Sequence, residues 1–179
     1  MDFESNKTIC RRFIQKIFNE GELDLIYDFV SADAVNHELE ALGDDSPPPG
    51  RSPEWMADLV FLYRRAFPDL RLEIEGQAAE NDCVVTWLRM RGTQMNTLMA
   101  IEASGRTIDV SGIRIDRLTG GKIAESWFHL DSLKMLCQLS ALPEINRHPV
   151  NVLASSQAAP MPIQPWVPAA AHREMVAVS

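Results

Sequence analysis

The segment "WFHLD", Trp127 to Asp131, sets an indole, an imidazole and a carboxylate at alternate positions. In an extended chain residues i, i+2 and i+4 share a face, so Trp127, His129 and Asp131 line one side and Phe128 and Leu130 the other. A carboxyl among apolar neighbours has its pKa raised towards working pH, which suits a general base. The second reading of Asp131 is an N-cap, since it precedes the helix-like "SLKMLCQL" and can accept its first free N–H groups. Trp127 is either core packing or the flat wall of an aromatic-ligand pocket. His37, in "VNHE", is a further candidate for proton transfer. Asn36 adjoins it, although neighbours in an extended chain point apart. No phosphate loop, dinucleotide-binding glycine motif, nucleophile elbow or metal-binding helix occurs, so the expected activity is cofactor-free or a binding role.

These residues need elements to position them. Ile9, Phe13 and Ile17 recur every four residues, with Ile14 beside them, and predict a helix from about Asn6 to Asn19 that Gly21 ends. A short second helix is expected in "ELDLIYDFV", with Leu23, Ile26, Tyr27 and Val30 on one face, followed by a turn and a short extended segment carrying His37. "LGDDSPPPGR" reads as a loop, because three prolines in a row suit neither a helix nor a central strand. A third helix starts at Ser52 as N-cap with Pro53 at its first position, buries Trp55, Leu59, Leu62 and Ala66, and stops at "FPDL". From Leu70 the period changes to two. "LRLEIEG", "CVVTWLRMRGT", "RTIDVSGIRIDRL" and "KIAESWFHLD" read as strands, the last two joined by a "TGG" hairpin turn. "QMNTLMAIEASG" is expected to hold a further strand or an irregular crossing. "DSLKMLCQLSALP" resumes a helical period through Leu133, Leu136 and Leu139. Helices followed by an antiparallel meander make an α+β layout, with helices covering one face of a curved sheet. Residues 1–143 form that domain. Residues 144–179, rich in Pro and Ala, read as a poorly ordered tail.

Composition narrows the partners. Of 179 residues, 46% are hydrophobic and 23% charged, as in a globular domain. A net charge of −8 with scattered acids argues against a nucleic-acid partner, which needs clustered basic residues. The three cysteines are far apart, odd in number and without CxxC spacing, so a reducing compartment is expected. The N-terminus lacks signal-peptide layout, and no apolar run approaches the ~20 residues that span a bilayer. A soluble, cytoplasmic protein is expected.

The order "RRFIQKIFNEGELDLIYDFVSADAVNHE", "AFPDLRLEIEGQAAENDCVVTWLRMRGT" and "GGKIAESWFHLDSLKMLCQL" resembles the SnoaL-like polyketide cyclases of the nuclear-transport-factor-2-like superfamily, over about residues 7–143. The resemblance implies a cone: a curved antiparallel sheet wrapped around N-terminal helices, with a deep apolar pocket. It implies intramolecular aldol ring closure of a small apolar carbonyl compound with no cofactor, and a homodimer. It matches the catalytic aspartate to Asp131, a pocket His to His37 and a pocket Trp to Trp127. Trp55, Phe61, Tyr63 and Trp87 become candidate liners. The chain departs from the family with "GTQMN" after the long strand and "QLS" at the end. Helper groups on the penultimate strand would come from Asp109, Ser111 or Arg114. A hydrolytic alternative follows from the superfamily's epoxide hydrolases, whose Asp–Arg–Asp arrangement is partly matched by "RID", Arg114 to Asp116, if that strand is regular and faces inward. A third alternative is a non-catalytic ligand-binding or dimerisation module of the same fold.

Overall fold

The computed structural model of the chain describes residues 3–37 and 50–142. These lie within the unit Met1–Pro143. The proline loop at 38–49 and the expected tail at 144–179 fall outside the described residues.

The first helix, α1 (Phe3–Phe13), is amphipathic and buries Asn6, Cys10 and Phe13. It does not continue as regular α-helix to Asn19. From Ile14 to Glu20 it runs as a π-helix, and it ends at Gly21 in left-handed geometry with φ of 76°. Arg64 holds that end, with Nη1 donating to the Phe18 and Asn19 carbonyls at 2.6 and 2.9 Å. A 3₁₀ turn (Leu23–Leu25) leads to α2 (Ile26–Phe29). Ile26 and Val30 are buried, but Tyr27 is half exposed and donates to Glu54 at 2.9 Å, so it leaves the expected face. Strand β1 (Val30–Asn36) follows without a turn. After β2 (Gly50–Arg51), α3 (Pro53–Ala66) starts as the Ser52 cap and Pro53 predict, the Trp55 N–H donating to Ser52 Oγ. Its buried stripe is Met56, Leu59, Val60, Tyr63 and Ala66. That is rotated from the expected one, and Trp55 and Leu62 are only partly covered.

The meander consists of β3 (Arg71–Glu80), β4 (Cys83–Thr93), β5 (Thr107–Thr119) and β6 (Lys122–Leu130). Gly120 and Gly121, with φ of 59° and 82°, make the β5–β6 turn. The six strands form one curved, unclosed sheet in the order β2-β1-β6-β5-β4-β3. Every neighbouring pair is antiparallel except β1 with β6, which is parallel and adds a crossover the meander alone does not predict. Residues 94–106 form an irregular crossing organised by buried Gln94, whose Oε1 accepts from Ser104 Oγ at 2.7 Å and whose Nε2 donates to the Ile101 carbonyl. The last helix, α4 (Ser132–Gln138), buries Met135, with Leu139 just beyond it, and leaves Leu133 exposed.

One face of the sheet is covered by the helices. On β5 it carries Ile108, Val110, Gly112, Arg114, Asp116 and Leu118, buried at every second residue. The opposite face carries Trp87, Ile113 and His129 on one rung, and Val85, Ile115 and Trp127 on the next. Among the described residues, no helix is long and apolar enough to cross a membrane.

Candidate active site

The alternation read in "WFHLD" is present, but its inward side is the other one. Phe128 is buried under the helices, while His129 is exposed on the outer face. Asp131 lies beyond the end of β6, exposed, and accepts the Lys134 N–H at 3.0 Å as N-cap of α4. Its own N–H donates to the Ser111 carbonyl at 3.0 Å. The expectation that Trp127, His129 and Asp131 look into a pocket is therefore corrected: all three lie outside the covered face.

His37 and Trp127 do meet, on the outer side. Their rings stack at 4.8 Å with an interplanar angle of 4°. His37 Nε2 lies 2.9 Å from Glu125 Oε1, and Arg117 covers Trp127 at 5.6 Å. Arg117 also pairs with Glu125. Asn36, next to His37, points the opposite way and is buried across from Ser126. Tyr63 is a core residue of α3, Trp55 is partly covered, and Trp87 is 42% exposed on the outer face above Gly76, where a Cβ would approach its ring to 2.1 Å. Phe61 is exposed. The expected liners thus divide between core, helix surface and outer sheet, and Trp87 and Phe61 are corrected to solvent-facing positions.

The covered face holds a different constellation. Arg114 and Asp116 are both fully buried and are the only charged residues among the buried described ones. Arg114 Nε donates to Asp116 Oδ2 at 3.0 Å, and Nη2 lies 2.8 Å from Oδ1. This is a side-on guanidinium–carboxylate pair of the kind Arg geometry favours. The guanidinium carbon sits 4.7 Å from the Phe13 ring centroid and 5.8 Å from that of Phe18, and Nη2 reaches the Met56 sulfur at 3.9 Å. The aromatic faces offset part of the cost of burying the cation. Burial pushes the Asp116 carboxyl above the ordinary carboxylate range; the Arg114 charge and hydrogen bond, then the Cys10 thiol, oppose that rise. Burial, followed by the Asp116 charge, raises Cys10 and keeps it a thiol.

Around the pair, neighbouring rungs present Ser126 opposite Asp116 and Thr86 opposite Arg114. Gln77 Nε2 donates to Thr86 Oγ1 at 2.9 Å. Asn6 comes down from α1, one turn before Cys10. Among the described residues, Arg114 Nη1, Ser126 Oγ, Gln77 Oε1 and Asn6 Oδ1 are buried without a hydrogen-bond partner, and Asp116 Oδ1 accepts no well-aligned one despite its short distance to Nη2. A surface groove of about 380 Å³ lies elsewhere, between Leu23, Phe61, Arg64 and Pro68. It lacks the buried carboxylate that acid/base chemistry needs, so the interior pair is the stronger site. The second carboxylate of an Asp–Arg–Asp hydrolase is not among the buried described residues. No group of three or more His, Cys, Asp or Glu among the described residues is arranged to hold a metal ion.

Sequence reasoning named Arg114, weighed Asp116 only as its partner in the hydrolytic alternative, and did not name Ser126. The available signal was the i, i+2 spacing of "RID" inside a long strand, which puts both charges on one face once the strand is regular.

Helices packed onto one face of an open, curved sheet define an α+β cone protein. Residues 8–139 match the model of the SnoaL-like polyketide cyclases, and the chain belongs to that family. Among solved structures it is similar to TsrD from Streptomyces laurentii, with 25% identity and a TM-score of 0.69 over 79% of this chain and 99% of that one. It is also similar to IdmH from Streptomyces antibioticus, with 27% identity and a TM-score of 0.65 over 75% and 98%. A SnoaL-like polyketide cyclase from Agrobacterium tumefaciens shares the fold, with 19% identity and a TM-score of 0.63 over 78% and 99%. No curated protein matches the chain in sequence.

Proposed function

We propose that this protein is a cofactor-independent acid/base enzyme that closes a ring, or shifts an enol, in an apolar polyketide-like or polycyclic carbonyl compound. The observation that carries this reading is Asp116. It is the one carboxylate among the buried described residues, held on the covered face beside Arg114 and shifted upward by burial. Membership of the cyclase family supports the reaction class. Asp116 is preferred to Asp131 as the base because its carboxyl is buried on the covered face and raised by that burial, whereas Asp131 caps α4 in solvent. Asp116 takes a proton α to a carbonyl, the resulting enolate adds to a second carbonyl of the same substrate molecule, and Asp116 returns the proton to the alkoxide oxygen so formed. Phe13, Phe18 and Met56 pack on Arg114, so a ligand reaches the pair by displacing them, and Met is the most adaptable of the three.

The test is α-proton exchange in D2O, followed by NMR with 2-tetralone and an apolar 1,3-diketone as probes. The wild type and Asp131→Asn are expected to accelerate exchange, and Asp116→Asn to lose ~100-fold or more. A folded Asp116→Asn that keeps full exchange removes Asp116 from the role. A second reading, a non-catalytic ligand-binding module, is favoured by the close packing of Phe13, Phe18 and Met56 on the pair. It predicts no exchange by the wild type.

The outer sheet face supports a homodimer. Trp87 and Ile113 are 42% and 48% exposed on one rung. Glu73 and Glu75, Arg89 and Arg91, and Asp109 pair in rows beside them. An apolar centre edged by charges of both signs is self-complementary, as a twofold contact requires.

A further inference from the structure

We propose that the covered face carries a ligand-oxygen site made by Arg114 Nη1 and Ser126 Oγ, which holds the carbonyl oxygen of an apolar ligand and takes up its charge as an enolate. This rests on the acid/base reading of Asp116 and names the group that completes it.

The first argument is hydrogen-bond accounting. Buried polar atoms in folded proteins are almost always bonded, and an orphan costs ~1–3 kcal/mol. Here Arg114 Nη1, Ser126 Oγ, Gln77 Oε1 and Asn6 Oδ1 are buried and unpartnered among the described residues. Three of the four belong to neighbouring rungs of one sheet face: Ser126 opposes Asp116, and Gln77 is bonded to Thr86 opposite Arg114. Arg114 turns Nε and Nη2 towards Asp116, so Nη1 projects from the other edge of the planar fork. Two donors, one charged and one hydroxyl, beside a carboxylate lacking an aligned bond at Oδ1, form an arrangement in need of an oxygen guest.

The second argument is charge. An ionised Asp116 and Arg114 together are neutral, so the resting site suits a neutral carbonyl. In the proposed step the substrate's α C–H bond breaks and an O–H bond forms at Asp116 Oδ1. The C–H electron pair delocalises onto the carbonyl oxygen. The negative charge thus leaves Asp116 and appears on the enolate oxygen, and Arg114 is placed to pair with both. The net charge of the interior is unchanged, so no counterion has to enter a water-excluded site. Cys10, the remaining titratable group packed on Asp116, stays a neutral thiol throughout.

The experiment uses 2-naphthol, a flat apolar phenol whose oxygen stands for the enol and whose ionised form has its own fluorescence. Binding is measured on the wild type, Ser126→Ala and Asp116→Asn, with circular dichroism on each. Ser126→Ala deletes an unpartnered hydroxyl and is expected to fold normally and bind ~5–10-fold more weakly. Asp116→Asn leaves Arg114 uncompensated and is expected to bind naphtholate ~10-fold more tightly, with more of the probe ionised at a given pH. A merely structural ion pair predicts no such gain. If Asp116→Asn does not fold, Ser126→Ala decides alone. Failure of the wild type to bind the probe overturns the proposal, as does affinity within twofold of wild type in Ser126→Ala. Probe binding that follows the expected order without any proton exchange keeps the oxygen site and removes the acid/base reading. Exchange that needs Asp116 while probe affinity ignores Ser126 does the reverse.

Discussion

Asp131 accepts the Lys134 N–H at 3.0 Å at the start of α4, so its carboxylate satisfies a donor that the helix cannot. Asp131→Ala is expected to destabilise the protein by ~0.5–2 kcal/mol in urea unfolding, with proton exchange unchanged. Loss of exchange at unchanged stability would return Asp131 to the catalytic role. Asp116 is the same functional group in a different environment: buried, ion-paired, and raised by desolvation. Period-two reading finds which residues share a face but not which face is covered. The usual tie-breaker is that the apolar side faces in, and it holds for Phe128, but both faces of the sheet are mixed. The outer side carries Val85, Trp87, Ile113, Ile115 and Trp127, whereas the covered side carries Thr86, Arg114, Asp116 and Ser126 at its centre. Both cap and base readings of Asp131 were open in the sequence, and the structure adds the cap bond from Lys134.

Elements with local causes were legible almost to the residue. Strand β4 spans Cys83–Thr93, as its alternation indicates, and α3 begins where Ser52 and Pro53 require. Elements with distant causes were not. The π-helix at Ile14–Glu20 ends on carbonyls bonded by Arg64, more than 40 residues away, and it carries Phe18, whose ring packs edge-on to Phe13 and Phe128 near Arg114. The parallel β1–β6 pairing is likewise non-local. Asp69 gives a test at this scale, because it ties the turn after α3 to the end of β4. Its Oδ1 accepts the Thr93 N–H at 2.6 Å and its Oδ2 the Thr93 hydroxyl at 2.8 Å. The backbone hydrogen bond from Thr93 holds its carboxyl below the ordinary range. A depressed folded pKa contributes stability that is present above the unfolded value, about 3.9, and is lost as pH falls through the folded one. The wild type is therefore expected to exceed Asp69→Asn in urea midpoint by a constant margin above about pH 5. That margin should vanish as the pH is lowered through the carboxylate range. A margin that persists at the lowest pH would mean that the ionised carboxylate is not its source.

For the whole molecule, the outer sheet face is where the proposed homodimer is tested. Trp87 lies across Gly76 and beside Ile113, and both large side chains stay about half in water, although aromatic and β-branched residues on a sheet face contribute most when covered. Covering them with a second copy places the same two residues of each protomer near the twofold axis, with the Arg89 and Arg91 rows near the acids of Glu73, Glu75 and Asp109. Like charges need not meet, because each row already alternates in sign across the strands. The sites stay separate, since Arg114 and Asp116 lie on the opposite side of the same strands. Trp87→Glu puts a charge at the centre of that contact. It is expected to convert a dimer into a monomer in sedimentation velocity at micromolar concentration, while leaving proton exchange within about twofold of wild type because the interior pair is untouched. Arg91→Ala, at the rim, is expected to weaken the dimer by at most ~1 kcal/mol. A wild type that sediments as a monomer, or a Trp87→Glu variant that remains a dimer, would show that this face is not where two copies meet.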